Sequence, residues 1–266
     1  MVKTNIMQET ACRKIVDQKG CFSLLEYTKD VSVNHYSAAN EYYAAQMGVR
    51  KRQVVCNLEG GGIIVQAGAM QWTSGKIEAV TNIKGAGDFA KKLIGSKVTG
   101  ETAVKPRYRG VGTVVLEPTY RYVLFVDVAA WGGLVIEDGL FYACDDTVDT
   151  KVIARSNLSS AALGGEGLFS TCLTGNGIVV LESPVPKEEL IVMELTDPND
   201  EVKIDGNMAI AWSNSLKFTV ERSGKTLLGS AASGEGLVNV YRGVGKILMA
   251  PVASSVNPLS ALANHT

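Results

Sequence analysis

Residues 110–118 read Gly-Val-Gly-Thr-Val-Val-Leu-Glu-Pro, and this stretch predicts a turn followed by a β-strand. Its opening Gly-x-Gly suits a tight turn with positive φ, a conformation that glycine adopts without steric cost. Residues 113–116 are β-branched or aliphatic, which is typical of a strand. Pro118 has no N–H to donate, so it ends the ladder of hydrogen bonds.

The same pattern occurs twice more along the chain, as residues 175–184 and 243–251. A Gly-Glu pair precedes each copy at steps of 65 and 69 residues, as Gly100-Glu101, Gly165-Glu166 and Gly234-Glu235. Each copy also has an earlier glycine followed within six residues by an aromatic, as Gly68 with Trp72, Gly139 with Tyr142 and Gly206 with Trp212. So many shared offsets indicate an internal threefold repeat.

The repeat predicts an all-β fold, because short strands at regular spacing are typical of sandwiches and barrels. We expect three tandem β modules of the sandwich or barrel type. They span residues 53–119, 120–188 and 189–252.

The flanking segments depart from the β pattern. Residues 1–52 form an N-terminal extension with a short helix over about 38–47, capped by Ser37 at its start and Gly48 at its end. Residues 253–266 are small and polar, and we expect a flexible tail.

Three phrases of the repeat region resemble the bacterial branch of the family named for altered inheritance of mitochondria protein 24. They are Gln66-Ala67-Gly68-Ala69-Met70, Gly165-Glu166-Gly167-Leu168-Phe169 and Gly234-Glu235-Gly236-Leu237. The resemblance covers about residues 50–252. It implies three tandem double-stranded β-helix or sandwich modules with pseudo-threefold symmetry, in a fold like that of the tryptophan RNA-binding attenuation protein. It also implies trimers that form a ring of nine modules. The fungal relatives are linked to mitochondrial inner-membrane organisation, and the family supplies no catalytic residues.

Histidine is too scarce for the metal sites of cupins, which the predicted fold resembles. Those sites need several histidines and a carboxylate around one barrel, and this chain has only His35 and His265. Residues 223–226 read Ser-Gly-Lys-Thr, like the end of a phosphate-binding loop, but Thr219 stands where that motif needs a glycine. We therefore expect no catalytic residue, no cofactor and no metal.

The repeated glutamates Glu101, Glu166 and Glu235 allow two interpretations. A carboxylate repeated around a threefold axis could line a polar ring or bind a cation. Alternatively, each carboxylate caps a turn or accepts hydrogen bonds from backbone N–H groups at the start of a strand. We favour the second interpretation, because one carboxylate can satisfy several turn donors. Glu101 is followed by Thr102, whereas the other two are followed by Gly-Leu, so equivalent sites are not implied.

Basic and aromatic side chains suggest an alternative function, the binding of single-stranded RNA. Arg50-Lys51-Arg52 is a compact basic cluster, Arg107 and Arg109 flank Tyr108, and Arg242 follows Tyr241. Arginine and aromatic side chains stack on unpaired bases. However, 26 Lys and Arg against 27 Asp and Glu give a net charge of −1, and nucleic-acid affinity rests on basic surface. We favour a solvated cluster or a subunit contact.

The composition favours a folded protein of the cytoplasm. Apolar residues make up 46% of the chain, which supports a buried core. No apolar run reaches the roughly 18 residues of a transmembrane helix, and the first residues show no apolar signal core. The five cysteines are scattered and odd in number, which argues against a disulfide framework.

The leading prediction is a non-catalytic oligomeric β scaffold or binding protein, a homotrimer linked to the envelope or to stress by its family resemblance. Unpaired strand edges are expected to be covered by assembly. A protein or membrane-surface partner is a further expectation. Residues 88–94, a short amphipathic helix, could touch a membrane surface, but they are too short for strong independent binding and we favour the interpretation that they cover the barrel end. The alternatives are a single-stranded RNA-binding protein and, third, a small-molecule enzyme or cupin-like ligand-binding protein.

Overall fold

The computed structural model of the chain describes residues 2–80, 105–154, 169–222 and 237–252. Several predicted features lie outside these residues and stay predictions. They are Gly100, Glu101, Gly165, Glu166, Gly234 and Glu235, the helix at 88–94, the stretch 223–226 and the tail 253–266.

The described residues are mostly β-strand, which confirms the predicted fold class. In chain order the strands are β1 (Lys14–Lys19), β2 (Phe22–Glu26), β3 (Arg52–Val65), β4 (Met70–Val80), β5 (Arg107–Leu116), β6 (Tyr122–Asp127), β7 (Leu134–Ile136), β8 (Phe141–Asp145), β9 (Val148–Ala154), β10 (Phe169–Gly175), β11 (Ile178–Ser183), β12 (Ile191–Leu195), β13 (Glu201–Asp205), β14 (Ala209–Ser213), β15 (Lys217–Arg222), β16 (Leu237–Arg242) and β17 (Gly245–Met249). Helix α1 (Ala38–Gln46) lies between β2 and β3, where a helix was predicted.

The start of α1 is capped by a different residue from the one the sequence predicts. Ser37 makes no side-chain cap and has helical φ and ψ itself. Instead, Oδ1 of Asn34 accepts hydrogen bonds from the backbone N–H of Tyr36 at 2.9 Å and of Ser37 at 3.1 Å. The C-terminal prediction is confirmed, because Gly48 has a φ of +78° and donates its N–H to the carbonyl of Ala45.

The chain folds into two compact units, each built from three separate segments of the sequence. The first unit contains Met1–Asp127, Phe141–Val148 and Asn176–Ser183, and the second contains Val128–Leu140, Asp149–Gly175 and Pro184–Thr266. The residues of the predicted second module, 120–188, are therefore shared between the units. The division into three modules stays a prediction.

The first unit is organised around β3, whose two halves share β5 on one side and have different neighbours, β2 and β8, on the other. The sheet order is β1-β2-β3-β8-β11-β6, with β5 also paired to β3 and β4 paired to β5. Cys56, in the first half of β3, lies opposite Phe22 of β2 and Val114 of β5. Ile64, in the second half, lies opposite Cys144 of β8. Such fully buried side chains each contribute about 1.5–3 kcal/mol through removal from water.

The second unit contains two sheets, β12-β17-β14-β7-β10-β9 and β13-β16-β15. Its core holds three aromatic rings. Trp212 stacks on Phe218 at 5.5 Å between centroids, and Tyr241 lies 5.3 Å from each of them. Aromatic pairs in this geometry contribute about 0.5–1.5 kcal/mol beyond the burial of their area.

The Gly-x-Gly motifs form turns in two of their three occurrences. Gly175, at the end of β10, and Gly177 have φ of +97° and +152°, and Gly243, between β16 and β17, has a φ of +106°. The prediction of a turn at residues 110–112 is wrong, because they lie inside β5. There β4 runs alongside without a break, and Gly75 lies opposite Gly112.

The three prolines that follow the repeated strands stand where the sequence predicts strand ends. β5 ends at Leu116 before Pro118, β11 at Ser183 before Pro184, and β17 at Met249 before Pro251. Each proline ends its ladder because it has no N–H.

One pairing arrangement recurs at each of these strands. The strands β5, β11 and β17 pair with β4, β8 and β14, respectively. Each of these partner strands begins shortly after a glycine of positive φ, namely Gly68, Gly139 and Gly206. Each pair also has an irregularity near its start, at Met70/Trp72, Phe141/Ala143 and Ala209/Ala211.

Candidate functional site

Each side chain of the basic cluster Arg50-Lys51-Arg52 binds a carboxylate, and two carboxylates serve the three cations. Arg50 and Arg52 bind the carboxylate of Glu26 at 3.0 and 2.8 Å, and Nζ of Lys51 lies 2.8 Å from Oδ2 of Asp30. Arg52 is only 6% exposed, and its guanidinium stands 4.2 Å from the centroid of the Tyr122 ring. The cluster ties β2 and its following loop to the start of β3.

The loop carboxylate of this cluster has an altered acidity. The hydrogen bond from Lys51 lowers the pKa of Asp30, and a hydrogen bond from Tyr120 adds to the effect. Desolvation, followed by the hydrogen bond to Asp30, raises the pKa of the Tyr120 hydroxyl to about 12. Both groups keep the protonation states that hold the contact at neutral pH.

The other basic residues of the RNA-binding hypothesis lie on separate strands. Arg107 and Arg109 are on β5, where Nε of Arg109 donates to Oδ2 of Asp146 at 2.5 Å. Tyr108 between them is buried, so its ring is not offered to a base. Arg242 lies at the end of β16 in the second unit.

Arg242 is the centre of a network across the sheet β13-β16-β15. Its guanidinium lies 2.6 Å from Oε2 of Glu201 on β13 and 2.6 Å from Oε1 of Glu221 on β15. The hydrogen bond from Arg242 lowers the pKa of Glu221 to about 2. Lys203 on β13 also binds Glu201 at 3.1 Å and is the main cause of that carboxyl's lowered pKa. The network joins all three strands on one face.

A groove of about 570 Å³ opens in the first unit beside an irregular part of β3. It is lined by Gln18, Gly20, Cys21, Ser23, Asn57, Leu58, Glu59, Gly61, Gly62, Asp145, Asp146 and Thr147. Asp145 accepts the N–H of Ile178 at 2.7 Å and lies 3.6 Å from Sγ of Cys21. Burial, followed by the charge of Asp145, raises the pKa of the Cys21 thiol to about 12. The thiol is therefore protonated and a poor nucleophile at neutral pH.

Two of the strands at sheet edges, β4 in the first unit and β13 in the second, are candidate interaction surfaces. Across the described ranges, β4 pairs only with β5, and β13 pairs only with β16. An unpaired edge presents a row of N–H and C=O groups that can bind another strand. Residues 70–74, at the start of β4, carry no charge and alternate between half-buried and exposed side chains.

In two other places within the chain, the corresponding strand edges are paired with a neighbouring strand. The end of β3 pairs with β8, and β7 pairs with β14. Each pairing continues one residue past its strand. After β3, the N–H of Gln66 donates to the carbonyl of Tyr142 at 2.8 Å, and after β7, the N–H of Glu137 donates to the carbonyl of Ile210 at 3.0 Å. β8 and β14 are buried almost throughout, whereas β4 is not.

Sequence reasoning missed the acidic partners Glu26, Asp30 and Asp146 and the two open edges. The partners are distant along the chain, and Arg109 and Asp146 are 37 positions apart. The alternation of Glu201, Lys203 and Asp205 with Val202 and Ile204 was the signal that could have identified β13.

Two further absences apply to the described residues alone. In those ranges, no group of three or more His, Cys, Asp or Glu side chains is placed to hold a metal ion. A helix long and apolar enough to cross a membrane is likewise not found in them.

The comparisons with known proteins place the chain among bacterial relatives. The family model described as Mitochondrial biogenesis AIM24 matches residues 45–252. The uncharacterized protein M6_Spy0233 of Streptococcus pyogenes serotype M6 is 27% identical over 195 residues, which are 71% of this chain and 76% of that protein. The X-ray crystal structure of protein SPYM3_0169 from Streptococcus pyogenes has a TM-score of 0.57 at 22% identity and covers 95% of this chain and 97% of that chain. The latter likeness shows a shared fold.

Proposed function

The chain belongs to the family described as Mitochondrial biogenesis AIM24, and from this we propose that it is a non-catalytic β scaffold that assembles as a homotrimer. In this proposal each chain contributes three tandem modules with pseudo-threefold symmetry, in a fold like that of the tryptophan RNA-binding attenuation protein. The assembly presents a repeated surface to a protein or membrane-surface partner. The resemblance adds a role linked to the envelope or to stress.

The recurring strand pairing is the observation that carries this proposal. The pairs β4–β5, β8–β11 and β14–β17 share a preceding glycine of positive φ, an irregularity near the start and a following proline. Repeat proteins of this kind bury a continuous core by stacking one unit on the next, so a terminal unit has an open face unless a cap or another copy covers it. Such open faces favour association with another copy.

The contacts of the basic residues weigh against the RNA-binding alternative. Arg50, Lys51, Arg52, Arg109 and Arg242 each bind a carboxylate, so RNA phosphates would have to compete with these partners. A salt-dependent shift of labelled single-stranded RNA on addition of the protein would favour RNA binding instead.

The groove beside β3 favours the third candidate, binding of a small polar ligand. Its volume of about 570 Å³ lies within the range of small-molecule sites, about 300–1,000 Å³. Its side chains are carboxylates, amides and small residues, which suit a polar or cationic ligand rather than an apolar one. Stabilisation by such a ligand, lost in Glu59→Gln, would promote this candidate.

The proposal places the assembly in the cytoplasm. Cys56, Cys144 and Cys172 are buried free thiols, and reduced thiols persist in that compartment. Fractionation of the native cell with an antibody against the chain tests the location.

Light scattering coupled to size-exclusion chromatography tests the function directly. The chain weighs 28.3 kDa, so a trimer has three times that mass. We expect the trimer mass at micromolar concentration, unchanged by added nuclease. A monomer at every concentration would overturn the scaffold proposal.

A further inference from the structure

Three strands can be aligned by their hydrogen-bonding partners alone. Each pairs with a residue that lies two positions before a Gly-x-Gly motif. The three pairs are Ile63 with Tyr108, Leu134 with Leu173, and Val202 with Tyr241. Ile63 on β3, Leu134 on β7 and Val202 on β13 are therefore equivalent positions.

The first two of these positions also face a second strand. Ile63 lies opposite Asp145 of β8, and Leu134 lies opposite Ser213 of β14. In β8 the irregularity ends at Ala143, and Asp145 lies two residues later. In β14 it ends at Ala211, and Ser213 lies two residues later. The corresponding residue of β4 is Ser74, two beyond Trp72.

We propose that β13 of one copy pairs antiparallel with the open edge of β4 in a second copy, with Val202 opposite Ser74 and Ile204 opposite Trp72. This inference rests on the proposed function, because it names the edges through which the scaffold assembles. It extends between copies the pairing that β3–β8 and β7–β14 make within the chain.

The backbone of β13 and the uncharged start of β4 suit this contact. By the same alignment, Asp205 is equivalent to Gln66 and Glu137, whose N–H groups donate to the neighbouring strand. Alternate residues of an antiparallel strand point the same way, so the N–H of Lys203 also faces the open edge. Residues 70–74 of β4 lack the charges that usually discourage edge pairing.

The contact is head to tail, since it joins different strands of the two copies. A contact of this kind forms a closed ring when the rotation from one copy to the next is a whole fraction of 360°. Otherwise it forms an open filament. Three copies closing in this way give every β13 and every β4 a partner.

The test compares Lys203→Pro with Lys203→Ala. Both remove the ion pair of Lys203 with Glu201. Only proline removes the N–H that faces the open edge, and proline is tolerated on edge strands. We expect light scattering to give the native mass for Lys203→Ala and the mass of one chain for Lys203→Pro, with unchanged far-ultraviolet circular dichroism.

A cross-link tests the register without relying on the proline variant folding. Lys203→Cys and Thr73→Cys are combined with Cys12→Ser and Cys21→Ser, and the chain is treated with a short bis-maleimide, each end of which adds one cysteine thiol. Cross-linked dimers and trimers are expected, because Lys203 lies opposite Thr73 in the proposed register. A matched variant with Glu194→Cys in place of Lys203→Cys controls for collisions, since Glu194 is also exposed on a strand.

The outcomes separate the two proposals. If the native chain is a monomer, the scaffold and this contact are both wrong. If the native chain is an oligomer but Lys203→Pro keeps its mass, or the cross-link is no stronger than its control, only the edge pairing is wrong.

Discussion

At the scale of single residues, three glycines set how closely β4 and β5 approach. Gly75 lies opposite Gly112, and Gly110 lies opposite Ile77. A side chain at Gly110 or Gly112 would collide with the carbonyl oxygen of Lys76 or Ser74, respectively, and both glycines have positive φ. The motif that forms a turn elsewhere thus keeps two long strands in contact here.

Gly112→Ala should therefore lower the free energy of unfolding by about 2–4 kcal/mol, the combined cost of left-handed backbone and overpacking. Gly61→Ala is the matched control, because a side chain there meets nothing within 4 Å. Its expected effect is within about 0.5 kcal/mol. Urea unfolding of both variants measures the difference, and equal losses would refute the steric explanation.

The ion pair of Glu221 with Arg242 predicts a pH dependence. Arg242 lowers the pKa of Glu221 from 4.5 to about 2. Because the folded-state pKa is the lower one, the stabilisation is complete above about pH 4.5 and disappears as the pH falls toward 2.

Glu221→Gln should lower the free energy of unfolding at pH 6 by about 0.2–1 kcal/mol, the range of exposed ion pairs. The difference from the parent chain should shrink between pH 4.5 and 2, as measured by urea unfolding at several pH values. Glu188→Gln, at an exposed glutamate, is the control. A difference that stays constant over this range would contradict the assigned cause.

At the scale of elements, the start of α1 shows which polar side chain acts as a cap. Asn34 supplies both its Oδ1 and its backbone carbonyl to the first turn, whereas the hydroxyl of Ser37 donates to the carbonyl of Asn34. The helix buries no residue of its own, so its ends matter more than its faces.

Asn34→Ala should weaken α1 by about 1 kcal/mol, and Ser37→Ala should have a smaller effect. Hydrogen exchange of the α1 amides measures both changes. Faster exchange in Ser37→Ala than in Asn34→Ala would show that Ser37 is the capping residue, as the sequence predicts.

Strand ends were predictable from the sequence, but strand partners were not. A proline ends a ladder whatever its surroundings, so Pro118, Pro184 and Pro251 were reliable signals. The motif at residues 110–112 requires positive φ, and both a turn and a close strand approach satisfy that requirement. Only the position of β4 shows whether these residues form a turn or a close strand contact. That position depends on residues far from the motif along the chain.

The same limit applies to the candidate site. Arg50-Lys51-Arg52 looked available for nucleic acid because neighbouring residues carry no compensating charge, whereas Glu26 and Asp30 approach through tertiary folding. The edges of β4 and β13 became visible only when the other strand pairs were known. Local patterns report the conformation of a segment and leave its partners undetermined.

At the scale of the whole molecule, the proposed assembly predicts that stability depends on protein concentration. An oligomer that unfolds to separate chains gains stability as concentration rises. We expect the melting temperature of the native chain to increase between about 1 and 100 μM, by mass action. Scanning calorimetry measures it, and Lys203→Pro should remove the dependence. A native melting temperature that does not change would contradict assembly.

The first fifteen residues bear on how the chain can be shortened. Ile6, Met7 and Ile15 pack with Trp72 on an apolar cluster of Leu25, Val55 and Val115. β2 also supplies backbone partners to the first half of β3. A recombinant version shortened to the family-matched residues 45–252 would expose that cluster and leave the backbone groups of β3 without their partners on β2. Its aggregation would then result from the truncation and would not be a property of the native protein.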